Sequence, residues 1–242
     1  MTDWFESWFG AEYLELYPHR DESEAEHAVA LVVEHARLAC GAAALDLACG
    51  AGRHVLHLRE AGLNAFGLDL SARMLEGARE DGLPVIRADM RELPVREGSL
   101  GLVTSFFTSF GYFPDAEDDE RVVAEIRRVL APDGLFAVDF LNAERVRAGL
   151  RPRDEIEIGA RRVVQTRELV EGGGVVQKRI EIYDAGRKQA RVFFERVRLY
   201  DADALSRLME RHGLPVVASF GDYAGGPLRA DAPRVILLGR AR

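Results

Sequence analysis

Two glycines stand two residues apart, at Gly50 and Gly52, directly after an apolar run in "ALDLACGAGRH" (residues 44–54). A strand that ends there and opens a helix aims backbone N–H groups and the positive end of the helix dipole at one sheet edge. Glycine suits such a turn because a Cβ would hold a ligand away from the backbone. The pattern is acid-x-small-x-Gly-x-Gly, made by Asp46, Ala48, Gly50 and Gly52, with Ala51 between the glycines. A second acid, Asp69, ends the next apolar run in "GLDLS", where a carboxylate can accept both hydroxyls of a ribose. Ser71 is the better helix cap there and leaves Asp69 for a ligand. A third, Asp89 in "RADMRELP", is suited to accept from an adenine amino group, with Leu70 and Met90 offering apolar contact to the ring. These residues make a candidate nucleotide pocket. A dinucleotide fingerprint needs a further glycine where Val55 stands, which weakens that reading.

Acids so spaced can meet only if their strands end side by side. "AAALDLA", "NAFGLDL", "LPVIRAD", "LGLVTSFF" and "LFAVDFL" read as strands, interleaved with helical patterns at 54–61, 72–80 and 121–130. Helices between strands imply right-handed crossovers and a mostly parallel, doubly wound α/β sheet covered on both faces. From about Asp154 three strand-like runs follow without helices, "ARRVVQTRELV", "GVVQKRIEIYD" and "ARVFFERVRLY", joined by Gly-containing turns, and read as an antiparallel meander. A helix over 201–212, capped by Asp201 or Asp203, and two more strands, "PVVASFGDY" and "PRVILLGRA", close the chain. Residues 4–17 interleave aromatics with acids as a short helix stopped by Pro18, and an amphipathic helix runs from Ser23 to about Ala39, closed by Gly41.

The 242 residues, 48% hydrophobic and 30% charged, suffice for one full core. No run approaches the roughly 18 apolar residues of a membrane span. "MTDWFESWFG" lacks the basic start and apolar centre of a signal peptide, so a cytoplasmic location is expected. Cys40 and Cys49, without CxxC or HExxH, give no disulfide framework and no metal site. The net charge of −8 argues against wholesale nucleic-acid binding, yet residues 151–199 carry +4 and the remainder −12. That basic stretch is either a solvated face or a place for an anionic metabolite or, less readily, an RNA backbone.

"ALDLACGAGRH", "GLDLSARML", "ADMRELP" and "LVTSFFTSFGYF", in that order and each at an expected strand end, resemble successive motifs of the class I S-adenosylmethionine-dependent methyltransferases. The resemblance covers residues 40–140 as motif and the rest as topology. It implies a Rossmann-like methyltransferase fold: a seven-stranded, mostly parallel sheet whose seventh strand inserts antiparallel, with a small antiparallel β insertion over the substrate side. The implied division is an N-terminal helical lid at 1–40, a cofactor-binding α/β domain at 41–150 and 200–242, and a β cap at 151–199. By the same resemblance the Gly50–Gly52 turn, with Ala48 and Ala51, faces the methionine portion of S-adenosylmethionine, and Asp46 lies under the loop. Asp69 holds the ribose, Leu70 and Met74 flank the adenine, and Asp89 with Met90 meets its amino group and face. Ser105, Phe106 and Phe107 border the cofactor. Tyr13 and Arg20 close over its methionine end, where Arg20 can pair with the carboxylate. In "RVLAPDGLFAVDF", Gly134 is expected to supply the turn.

Methyl transfer from a sulfonium is an in-line displacement with a neutral leaving group, so alignment and exclusion of water matter more than a dedicated catalyst. Tyr112 and His19 are the candidate catalytic residues, with Tyr17 and Tyr223 as further candidate bases. No "DPPY" or "NPPY" follows the fourth strand and no Pro-Cys pair occurs. Those absences favour a small-molecule acceptor, methylated on O, N or C, over nucleic-acid bases or glutamine; a monomer or homodimer is expected. The rival readings are a non-catalytic S-adenosylmethionine-binding regulator or subunit and an NAD(P)-linked oxidoreductase.

Overall fold

The computed structural model describes residues 3–17, 22–186 and 189–242. Its N-terminal part holds three helices: α1 (Trp4–Trp8), α2 (Ala11–Leu16) and α3 (Glu22–Ala36). Then β1 (Ala43–Leu47), α4 (Arg53–Glu60), β2 (Asn64–Asp69), α5 (Met74–Glu80), β3 (Val85–Arg87), β4 (Leu100–Ser105), α6 (Ala116–Val129) and β5 (Leu130–Leu141) alternate as expected. After α7 (Ala143–Gly149) come β6 (Arg153–Ile158), β7 (Arg161–Val170), β8 (Val175–Asp184) and β9 (Arg191–Arg198), and then α8 (Ala202–Arg211), β10 (Val216–Phe220) and β11 (Arg234–Arg240).

The main sheet has the order β10-β11-β5-β4-β1-β2-β3. Strands β1 to β5 run parallel, and β11 lies antiparallel between β5 and β10, as the resemblance implied. Each strand splits its side chains between two cores. Leu45, Leu47, Val103, Phe136 and Val138 pack with Val122, Ile126 and Leu208 on the α6–α8 side. Ala44, Leu102, Leu135 and Ala137 pack with Val29, Val32 and Leu58 on the α3–α4 side. The order reverses between β1 and β4, and a doubly wound sheet opens its ligand crevice at such a reversal, outside the carboxyl ends of the strands.

The close packing there leaves little slack. A Cβ on Gly67, in the middle of β2, would stand 2.8 Å from Cys49 Cβ and 2.9 Å from Val55 Cγ2. Gly67→Ala is therefore expected to cost about 1–3 kcal/mol of stability by overpacking. It would lower Tm by about 2–4 °C per kcal/mol in a chain of this size, which a thermal melt checks.

Strands β6 to β9 form a separate antiparallel meander in chain order. One strand more is present than the sequence suggests, because β6, "RDEIEI", is mostly charged and exposed and carries little apolar signal. Its neighbours bury Val163, Ile180 and Ile182 against Trp8, Tyr13 and Leu16 of the N-terminal helices. The expected single helix over 4–17 is broken at Phe9 and Gly10. Asp133, not Gly134, adopts the positive φ of 62° before the body of β5. Gly134 is needed for space instead, since a Cβ there would lie 2.9 Å from the Ala131 carbonyl oxygen. Asp201 caps α8 by accepting from the Ala204 N–H at 2.7 Å. Among the described residues no helix is long and apolar enough to cross a membrane.

Candidate active site

The sequence places its glycine turn between β1 and α4, and the backbone there leaves the usual range repeatedly: φ is 52° at Ala48, 55° at Gly50 and 88° at Gly52. The loop is tied to the next strand. The Gly50 N–H donates to Asp69 Oδ2 at 2.9 Å, and the Ser71 N–H donates to Asp69 Oδ1 at 2.8 Å. The Leu70 N–H bonds the same carboxylate, which still has acceptor capacity left for a ligand. Burial pushes the Asp69 pKa up, opposed by those backbone hydrogen bonds. Ser71 does cap α5, accepting from the Met74 N–H at 3.2 Å, and its own hydroxyl donates to the Phe9 carbonyl at 2.7 Å.

A cavity of about 370 Å³ lies at this edge of the sheet. Asp46, Ala48, Gly50, Ala51, Asp69, Leu70, Met74, Asp89 and Met90 line it, as do Phe106, Phe107, Tyr13 and Tyr112. Ser105 does not line it and is buried in the strand, because alternation turns it from the face that carries Thr104 and Phe106. Gly52 does not line it either. Its missing Cβ makes room for Leu83 Cδ1, 2.7 Å from where that atom would be, so this glycine serves helix packing. His19 and Arg20 lie outside the described residues.

Asp46 sits beneath the loop, 1% exposed, and accepts from the Thr104 hydroxyl at 2.8 Å. Burial raises its pKa from 3.8 to about 7, against the Thr104 hydrogen bond, with the nearby Asp69 charge adding to the rise. A carboxyl whose folded pKa is raised favours folding below its unfolded value and loses that contribution as pH rises through the folded one. Between pH 3.8 and about 7 stability should thus fall by something on the order of 4 kcal/mol from this group. Denaturant unfolding at a series of pH values should show that slope in the wild type and its absence in Asp46→Asn.

Asp89 behaves differently. Burial would raise its pKa, but the hydrogen bonds and charge of Arg91 outweigh that and hold it below the usual range. Arg91 also reaches Asp118 at 2.8 Å, so Asp89 is kept ionised at the cavity wall.

Much of the lining is an aromatic wall that is not legible as site in the sequence. Phe5, Phe9 and Phe113 join Tyr13 and Tyr112 there. Trp4 braces this wall: its Nε1–H donates to the Tyr112 carbonyl at 3.2 Å and its ring meets Tyr112 edge-on at 5.0 Å. The Tyr112 hydroxyl donates to the Thr108 carbonyl. His54, passed over as the start of a helix, also lines the cavity, stacked on Phe106 at 4.4 Å and with Nδ1 3.9 Å from Asp46 Oδ2. Tyr17 lines the cavity, whereas Tyr223 does not: its hydroxyl donates to Asp139 at 2.5 Å, which removes it as a base.

Comparison with known proteins agrees with this geometry. A family model described as a methyltransferase domain matches residues 44–134, the stretch from β1 into β5. The YqeM protein of Bacillus subtilis, named a putative methyltransferase, is 33% identical over 107 residues, 42% of this chain and 43% of its own length. The match therefore spans less than half of that relative. The dTDP-3-amino-3,6-dideoxy-alpha-D-glucopyranose N,N-dimethyltransferase of Streptomyces fradiae is 26% identical over 87% of this chain and 84% of its own. An S-adenosylmethionine-dependent methyltransferase from Clostridium acetobutylicum superposes with a TM-score of 0.79 at 18% identity, over 95% of this chain and 98% of that one. The pocket fits the cofactor that such enzymes use. Gly50 is left-handed with Met74 Cε 3.2 Å from where its Cβ would be, and a half-buried carboxylate stands at the end of β2 where a ribose would lie. Residues 44–134 are thus a methyltransferase domain by their match, and the chain as a whole has the fold of S-adenosylmethionine-dependent methyltransferases, with its glycine loop and its acids at the carboxyl edge of the sheet.

Proposed function

We propose that this chain transfers the methyl group of S-adenosylmethionine to the nitrogen of a small amine held against the aromatic wall. The lining of the cavity carries the reading. Among the described residues its charged side chains are Glu22, Asp46, Asp69 and Asp89 against Arg53, and much of the rest of the lining is built of rings. Rings and carboxylates attract an ammonium group and its apolar body. The basic residues of the β6–β9 sheet are engaged elsewhere: Arg161 with Glu15 and Asp184, Arg191 with Glu12 and Asp184, Lys178 with Glu195, Arg167 with Asp154. An anionic acceptor would have to displace those pairs. The relative matched along most of its length, which methylates the amine of a sugar nucleotide by its name, supports the same choice.

In this reading the loop from Ala48 through Gly50 and Ala51 receives the methionine portion of the cofactor, and Asp46 answers its ammonium. Asp69 accepts from the ribose, Leu70 and Met74 hold the adenine, and Asp89 with Met90 meets its amino group and face. Tyr13, Phe106 and Phe107 border the ligand. When bound, the sulfonium supplies an electrophilic methyl group and departs as a neutral thioether. The residues around it orient the acceptor in line and exclude water, the two contributions such a displacement needs most. Tyr112 acts by position, since its proton is directed to a carbonyl oxygen. The ammonium gives a proton to solvent before it reacts, the freed lone pair forms the N–C bond as the methyl–sulfur bond breaks, and the positive charge passes from sulfur to the methylated nitrogen.

Incubating the protein with S-adenosylmethionine and panels of small amines, alcohols and carboxylic acids, while following S-adenosylhomocysteine, tests the reading. Turnover confined to amines is expected. Turnover confined to carboxylates or alcohols would overturn it.

A further inference from the structure

Phe107 and Thr108, in the turn after β4, are consecutive non-glycine residues with φ of 61° and 62°. Side chains rarely tolerate that region, and a β-branched residue such as Thr108 tolerates it least. Two left-handed residues in a row persist only where their surroundings hold them. Here the holder is a buried carboxylate on the neighbouring strand. Asp139, fully buried near the end of β5, accepts from the Phe107 N–H through Oδ2 at 2.9 Å, and its carbonyl accepts from the Thr108 N–H at 3.2 Å. The same Oδ2 accepts from the Tyr223 hydroxyl at 2.5 Å, and Oδ1 accepts from Arg234 Nε at 2.7 Å. The Arg234 guanidinium also lies over the Phe107 ring, 5.6 Å from its centroid, and reaches the Thr108 hydroxyl at 3.5 Å.

An acid in the apolar run "LFAVDFL" is costly unless fully partnered. None of the three side chains lines the cavity, yet the turn they grip carries Phe107, Ser109 and Tyr112 into it. Burial and the Asp139 charge push the Tyr223 pKa up, so its hydroxyl stays a neutral donor. Arg198 fixes the far end of the same wall, its N–H donating to the Gly111 carbonyl at 2.8 Å.

We infer that Asp139, Tyr223 and Arg234 are positioning residues for methyl transfer: they lock the Phe107–Thr108 turn in its left-handed form and so set where the aromatic wall holds the acceptor. This rests on the reading above that the wall receives the acceptor. Removing the lock should impair the chemical step far more than cofactor binding, since Phe107 is one border of a cofactor held chiefly by the Gly50 loop, Asp69 and Asp89, whereas small misplacement of a reacting group is costly in rate.

Tyr223→Phe is the variant of choice, since it leaves the Asp139–Arg234 ion pair intact. In its S-adenosylhomocysteine complex the amides of residues 107–112 should exchange about ten-fold faster than in wild type, while the rest of the sheet is unchanged. The Kd for S-adenosylhomocysteine should stay within about a factor of two, and kcat with the acceptor that wild type turns over fastest should fall about ten-fold at unchanged cofactor KM. Adding Thr108→Gly, which relieves the left-handed backbone, should restore most of that kcat. Unchanged exchange at 107–112 overturns the inference, as does a loss confined to thermal stability and cofactor affinity, or no recovery from the glycine. If wild type methylates no amine, the amine reading falls by itself, and the exchange and binding results still decide whether Tyr223 holds the turn.

Discussion

Asp69→Ala is expected to weaken S-adenosylmethionine binding by about 1.5–3 kcal/mol, the range for hydrogen bonds to a charged group. Two losses combine in that figure. The alanine deletes the acceptor at the end of β2 to which the ribose hydroxyls would donate, and it also unties the Gly50 N–H, held by Asp69 Oδ2 at 2.9 Å, from the strand it is anchored to. The Ser71 N–H, 2.8 Å from Oδ1, loses its partner as well, so the start of α5 should loosen. Asp69→Asn separates these effects. It keeps one acceptor oxygen for the ligand or the loop but not both, and should fall between wild type and alanine. Isothermal titration of each variant with S-adenosylmethionine measures the change directly, and a loss of less than about 0.5 kcal/mol in the alanine variant would remove Asp69 from the binding account.

Trp8→Ala should be among the most destabilising single changes in the chain, at about 3–5 kcal/mol, the usual cost of truncating a buried tryptophan. Trp8 is fully buried and joins three parts of the molecule. Its ring meets Phe193 of β9 at 4.9 Å and Tyr13 of α2 edge-on at 5.6 Å, and its Nε1–H donates to Glu195 at 2.6 Å. The four-stranded sheet and the N-terminal helices therefore share one small core, and Tyr13 and Phe9 reach from it into the cavity. Urea unfolding should show the loss, and the surviving folded fraction should bind acceptor poorly because its aromatic wall is no longer braced. Trp8→Phe keeps most of the apolar contact and leaves Glu195 short of one donor, so its cost should be markedly smaller.

The sequence carried the sheet because its strands are short apolar runs set between amphipathic helices, a pattern that leaves few topologies. Asp46, Asp69 and Asp89 were legible for the same reason: an acid at the end of an apolar run is conspicuous. Side-chain direction was less legible. Ser105 was placed at the pocket and faces away from it, because the count along β4 had no fixed starting register. Gly52 was read as a ligand-facing glycine and serves the packing of Leu83 instead. Phe5, Phe9 and His54 entered the cavity unannounced, since an aromatic on a short helix looks the same whether it meets a core or a ligand. Asp139 left a visible signal, a charge inside a buried strand, but its partners Tyr223 and Arg234 lie 84 and 95 residues further on. Only the antiparallel insertion of β11 beside β5 brings them together.

The central claim is that this cavity is built for S-adenosylmethionine, and titrating the purified protein, stripped of ligand, with S-adenosylmethionine, S-adenosylhomocysteine and NADH in parallel tests it most directly. Binding of the first two with Kd on the order of micromolar, without measurable binding of NADH, is the result expected. Binding of NADH alone would contradict it and return the Gly50–Gly52 turn to the dinucleotide enzymes, despite the valine that stands in place of their third glycine.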